Sequence, residues 1–91
     1  MIDKNSTPYQ LSNYQIEQLE GEVVLLHNSG LKVMHSNQTG AMIWQMCDGQ
    51  KSVAEIIDLL AQAYPEASKT IPQDVKNTLQ ILAQHGAIGW L

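Results

Sequence analysis

Hydrophobic and polar positions change their period once along this chain. Across residues 14–35 the pattern is strand-like: Tyr14 and Ile16 alternate with Gln15 and Glu17, Gly21 interrupts, and Val23, Val24, Leu25 and Leu26 form a short run rich in β-formers. Asn28-Ser29-Gly30 is turn chemistry, because Asn and Gly tolerate positive φ. Leu31, Lys32, Val33, Met34 and His35 follow as another short strand, so the segment predicts a three-stranded antiparallel meander with tight connections.

From Asn37 onward the period is helical. Asn37 is a candidate N-cap, Ile43, Met46 and Cys47 recur at helical spacing with Trp44 beside them, and Asp48-Gly49 ends the helix with Gly in the left-handed cap position. Ser52-Val53-Ala54-Glu55 reads as a capping box that opens a second helix, with Ile56, Ile57, Leu60 and Tyr64 as its apolar stripe and Pro65 as its stop. Thr70-Ile71-Pro72-Gln73 reads as a second capping box with Pro in the first turn. Val75, Leu79 and Leu82 share one face of the third helix, which His85-Gly86 closes. Residues 87–91 are short and apolar, either a brief returning strand or a segment packed on the body. Residues 1–13 are polar apart from Met1, Ile2, Tyr9 and Leu11 and read as a flexible arm ahead of a domain over 14–91. The predicted order is β-β-β-α-α-α: an α+β, winged-helix-like domain, with a three-stranded antiparallel sheet followed by three α-helices.

Composition narrows the function. Ninety-one residues make one domain with one modest core. The net charge is -4, and the five basic residues are all Lys: Lys4, Lys32, Lys51, Lys69 and Lys76. Without Arg or clustered cations, the chain lacks what a phosphate backbone or an anionic membrane surface requires, so neither is an expected partner. No apolar run exceeds four residues, against the ~20 a spanning helix needs. The N-terminus has no charged n-region followed by an apolar stretch, and the single cysteine forms no intramolecular disulfide framework. The expectation is a soluble, cytoplasmic protein.

Catalytic chemistry is not legible in the residues. Cys47 lies between the core position Met46 and the Asp48-Gly49 stop, with no flanking nucleophile pattern, and reads as a small buried hydrophobe. His27, His35 and His85 are scattered, and two histidines near one hairpin without a third ligand make a poor metal site. Glu17, Glu20 and Glu22 read as a solvated face, and the glycines are spread through turns and caps rather than gathered in a phosphate loop. No metal, cofactor or catalytic residue is expected, and the chain is not read as an enzyme. Trp44 reads as core, and Trp90 as packing back onto the body.

The third helix holds one anomaly. At about 100° per residue, Leu79 and Leu82 lie within about 40° of Val75, whereas Ile81 lies about 120° away among Asp74, Asn77, Thr78 and His85. Such an Ile is either incidental or the apolar centre of a binding groove, and the pattern leaves both open.

The contiguous run Asn37-Gln38-Thr39-Gly40-Ala41-Met42-Ile43-Trp44-Gln45-Met46-Cys47-Asp48-Gly49 resembles the coenzyme PQQ synthesis protein D (PqqD) family. The stretch from Ser52 to Tyr64-Pro65 is similar to that family's second helix. Asp74-Val75, Leu79, Leu82 and Gly86-Ala87-Ile88 are similar to its third helix and ending. The likeness spans roughly residues 14–89. It implies a three-strand, three-helix recognition element for ribosomally made peptides. Such a peptide chaperone holds a precursor or leader peptide and presents it to a modifying enzyme, typically a radical-SAM protein, with PQQ biosynthesis as one candidate pathway. It further implies that the peptide adds as a strand beside Leu31, Lys32, Val33, Met34 and His35 and lies against the side of the third helix that carries Asp74, Thr78, Ile81 and His85. Two features depart from the family: Ser36 stands where Leu is common, and the chain carries no Arg on surfaces where the family is often richer in it. Two other classes stay open. One is a regulatory or structural domain that binds a folded protein through the face around Trp90. The other is a winged-helix DNA binder, for which the third helix offers only Lys76 and His85 as cations, against Asp74.

Overall fold

The computed structural model describes residues 2–19, 22–30, 32–36 and 38–91. The elements are strands β1 (Pro8–Gln10), β2 (Tyr14–Leu19), β3 (Glu22–His27) and β4 (Lys32–Ser36), helices α1 (Gln38–Met46) and α2 (Val53–Ala63), a 3-10 turn at Pro65–Ala67, helix α3 (Ile71–Gln84) and strand β5 (Ile88–Trp90). The fold is mixed α/β with antiparallel sheets. Leu31 of the expected third strand, the expected N-cap Asn37, the interrupting Gly21 and the acidic Glu20 lie outside the described residues.

Strands β2, β3 and β4 are neighbours in that order, with Ile16 opposite Leu25 and Leu25 opposite Met34. The ladder between β3 and β4 shifts register at Leu25/Leu26. Val23, Val24 and Leu25 are all buried, as expected of a central strand covered on both faces. Leu25 joins a core that also takes Ile43, Trp44 and Cys47 from α1, Val53, Ile56 and Leu60 from α2, and Ile71, Val75, Leu79 and Leu82 from α3. Most of the predicted stripe positions lie here, while Met46, Ile57 and Tyr64 pack only partly buried against the core and Val53 and Ile71 join it from the first turns. Each fully buried large side chain contributes about 1.5–3 kcal/mol. Positive φ at Gly49 (78°) and Gly86 (72°) turns the chain out of α1 and α3.

The N-terminal segment is not the free arm its polar composition suggests. β1 pairs antiparallel with β5, and Tyr9 faces Gly89. Gly49 N donates to Pro8 O at 3.0 Å, and Gln10 N donates to Cys47 O at 2.9 Å. The Gln10 side-chain amide donates to Trp44 O at 2.8 Å. The physical reason is that main-chain hydrogen bonds carry much of this docking, and the side chains that join it, buried Pro8, Ile2 packed against the core and the Tyr9 ring over Gly89, are too few and too irregularly spaced to show a hydrophobic period.

The same segment completes the start of α2. Ser52 Oγ accepts from Glu55 N at 3.2 Å, and Glu55 Oε1 accepts from Ser52 N at 3.1 Å, the reciprocal capping box. Val53 N and Ala54 N, which this box does not reach, donate at 2.9 Å to Ser6 O and Lys4 O. The first-turn donors of α2 are thereby satisfied.

The second expected capping box does not form. Thr70 is already right-handed helical (φ -96°, ψ -20°), because it closes the turn over residues 68–70 that links the 3-10 turn to α3, with Thr70 N donating to Ala67 O at 3.0 Å. Its hydroxyl donates to Ala67 O at 3.1 Å, and the Gln73 side chain donates to Asn77 Oδ1 at 2.9 Å. A capping side chain needs extended backbone at the cap, and Thr70 lacks it.

Candidate groove between an open strand edge and helix α3

Strand β4 ends the order β2-β3-β4, and among the described residues no strand pairs with its outer edge. Lys32, Val33, Met34 and His35 are consecutive residues of this edge strand. An unpaired edge presents main-chain donors and acceptors at strand spacing, a template for an incoming extended segment.

Helix α3 is oriented by its core stripe. Burial of Val75, Leu79 and Leu82 turns Ile81 outward, where it is 40% exposed. Asp74 and His85 are exposed and Thr78 is half-buried. The two ends of this face are anchored differently. At the His85 end, Tyr14 Oη donates to His85 O at 2.8 Å, and the Tyr14 ring meets His27 and Trp44 edge-on at 5.1 and 6.4 Å. Tyr14 pairs with His27, and Leu26 pairs with Lys32, so this is also the Lys32 end of β4. At the other end, Asp74, Asn77 and Thr78 share an open cavity of about 220 Å³ with Thr39 and Gly40 of the first turn of α1. Helix α1 follows β4 almost directly, so this cavity lies at the Ser36 end of the strand.

The structure thus brings Asp74 and Thr78 together in one cavity and places Ile81 and His85 further along the same helix. Thr39 and Gly40 were not picked out by helical spacing, because they belong to another helix. Their presence in the contiguous 37–49 run was the available hint.

A larger cavity of about 480 Å³ lies on the opposite flank of α3, where Gln80, Ala83 and Gln84 face Ile2, Asp3 and Trp90. Trp90, expected to pack back, is 37% exposed there, because β5 directs it to the rim rather than into the core.

The remaining chemistry is structural. Cys47 is fully buried, and its Sγ donates to Ile43 O at 3.2 Å. Burial, and secondarily the Asp48 charge, pushes its thiol from 9.0 up to about 12. The Asp48 carboxyl is held below its usual range, first by the Lys51 side chain at 2.6 Å and then by the Gln50 amide. Among the described residues, no cluster of three or more His, Cys, Asp or Glu could hold a metal ion. No helix among them is long and apolar enough to cross a membrane.

Comparison with known proteins gives a consistent result. The family model described as Coenzyme PQQ synthesis protein D (PqqD) matches residues 22–88. A PqqA binding protein of Methylococcus capsulatus is 31% identical, with the match covering 86% of this chain and 80% of that protein. A PqqA binding protein of Rahnella aquatilis is 32% identical over 99% of this chain and 90% of its own length. Among solved structures, TbiB1 in complex with the TbiA(beta) leader peptide superposes with a TM-score of 0.67 at 25% identity, covering 88% of this chain and 93% of that one.

Proposed function

The chain belongs to the PqqD family, and from that premise we propose that it is a peptide chaperone. It binds the leader of a ribosomally made precursor peptide and presents it to a modifying enzyme of the radical-SAM type. PQQ biosynthesis is one candidate pathway. It acts by binding rather than catalysis, as a soluble cytoplasmic protein with a winged-helix-like arrangement of sheet and helices. Two comparisons support this reading: the relatives are named for binding PqqA, and the structural neighbour was solved with a leader peptide.

Two observations support it together: among the described residues no strand pairs with the outer edge of β4, and α3 exposes Ile81 off its core stripe. An extended peptide adds to β4 at residues 32–35, extending to Leu31. Main-chain hydrogen bonds supply affinity, and alternate side chains meet α3. Ile81 is the apolar contact at the middle, with Asp74 and Thr78 at one end and His85 at the other.

Titration with PqqA, or with the precursor peptide encoded nearest the gene, tests this. Amide shifts should move along β4. Ile81→Asp should weaken binding by about 1–3 kcal/mol, the loss typical of a moderate hot spot. Its melting temperature should stay within a few degrees of the parent, since the side chain is off the core stripe. Unchanged affinity would refute the groove, and a collapsed fold would return Ile81 to the core. The exposure of Trp90 (37%) and Leu91 (74%) favours a second reading, a domain that docks on a folded protein. Shifts confined to β5 would select it.

A further inference from the structure

We propose that the cavity formed by Thr39, Gly40, Asp74, Asn77 and Thr78 receives a lysine or arginine side chain of the bound peptide, so that this chain selects leaders with a basic residue at that point. The inference rests on the peptide-groove reading above and adds a specificity to it.

Position comes first. The cavity lies at the Ser36 end of β4, where α1 starts, and is walled on the far side by α3. A strand laid along β4 sends alternate side chains toward the helices, and the one that reaches this end meets the cavity. At about 220 Å³ the space far exceeds the ~30 Å³ share of a single water. A long side chain fits, and a short one leaves it hydrated.

Charge comes next. Asp74 is the one formally charged side chain in the lining, and among the described residues it has no ion-pair partner. Asn77 Oδ1 already accepts from Gln73, which holds that amide in place. Thr39 and Thr78 contribute hydroxyls that can accept from an ammonium or guanidinium. The start of α1 brings a partial positive charge of about half an elementary unit, which would suit an anion. An anion there would, however, face the full charge of Asp74 at close range, whereas a cation beside Asp74 is attracted to it. The net charge of -4 acts in the same direction at long range by steering basic peptides toward the molecule. The absence of Arg fits this sign: a groove without guanidinium groups is not built to read carboxylates.

A surface-displayed library of random twelve-residue peptides, sorted on the intact protein, is the test. Peptides that bind are expected to share a Lys or Arg at one fixed position. Asp74→Asn should weaken a selected peptide about tenfold, the scale of one charge-assisted hydrogen bond, and should flatten the salt dependence of binding. Replacing the peptide's basic residue by norleucine should cost the same and add nothing in the Asp74→Asn background. This peptide-side change reads the contact even if an Asp74 variant folds poorly. Sorting on Asp74→Lys should favour Asp or Glu at that position.

The failures are distinguishable. Binders that still require Ile81 but show no basic preference overturn the pocket and leave the groove standing. A shared acidic residue on the parent protein overturns the sign. Binders indifferent to Ile81→Asp, or no binders at all, overturn the groove and the pocket with it.

Discussion

At the scale of single residues, Cys47 shows how burial sets chemistry. Its thiol hydrogen-bonds to Ile43 O inside the core, and burial raises its pKa from 9.0 to about 12. The folded state therefore holds this proton more tightly than the unfolded chain does. The resulting stability is fully present below pH 9 and is lost as pH climbs from 9 toward 12, by up to about 1.4 kcal/mol per pH unit. Denaturant titrations at pH 8, 9.5 and 10.5 should show a fall in the parent protein. The fall should be shallower in Cys47→Ala, which cancels the background from tyrosine ionisation. Equal slopes would mean that water reaches the thiol. The sequence reading of Cys47 as an inert small hydrophobe rests on the same physics, because a thiol that stays protonated at neutral pH is neither nucleophile nor ligand.

At the scale of elements, β1 and β5 act as a clasp. A Cβ on Gly89 would lie 2.5 Å from Cζ and Oη of Tyr9, inside any real contact. The ring of Tyr9 therefore lies directly on the Gly89 backbone, and a side chain at position 89 would have to displace that ring. Gly89→Ala should cost about 1–3 kcal/mol, as overpacking generally does. Truncating the ring removes the clash, so the Tyr9→Ala/Gly89→Ala double variant should cost less than the two single changes added together. Additive losses in chemical denaturation would show that the strand shifts without regard to the ring. Ser52 and Thr70 give the complementary lesson: similar capping sequences, one cap. Ser52 follows a bend and reaches its extended cap geometry, whereas Thr70 inherits helical backbone from the turn before it.

At the scale of the whole molecule, Trp44 ties the layers together. It is 5% exposed in the main core, its ring meets Tyr14 of β2, and its carbonyl accepts from Gln10 of β1. The Cα radius of gyration, 12.6 Å, is close to the ~12 Å of a compact chain this long. Trp44→Ala should remove about 3–5 kcal/mol from a total of roughly 5–14 kcal/mol. The melting temperature should drop by about 12–40 °C. A variant that melts within a few degrees of the parent would place Trp44 outside the core. Ile81→Asp should have the opposite profile, with peptide binding weakened and stability kept, because Trp44 lies in the core and Ile81 off the core stripe.

Local periodicity determined the helices, the hairpin after His27 and the Ser52 cap, because each depends on residues within a few positions of one another. The 37–49 run also carried the resemblance to the family, because the likeness lies in one contiguous stretch of residues. Only tertiary structure decided the rest. The docking of residues 4–11 runs largely through carbonyls and amides that every residue carries, joined by isolated side chains such as Pro8 and Tyr9, so a mostly polar sequence there looked free. Trp90 was directed outward by the pairing of β5 with β1, a partner about eighty residues away. The cavity at Asp74 joins two helices whose first turns are more than thirty residues apart. Ile81 stood undecided in the sequence because an exposed apolar residue acquires meaning only from its surroundings, and helical period reveals only that it lies off the core stripe, where the structure leaves it 40% exposed.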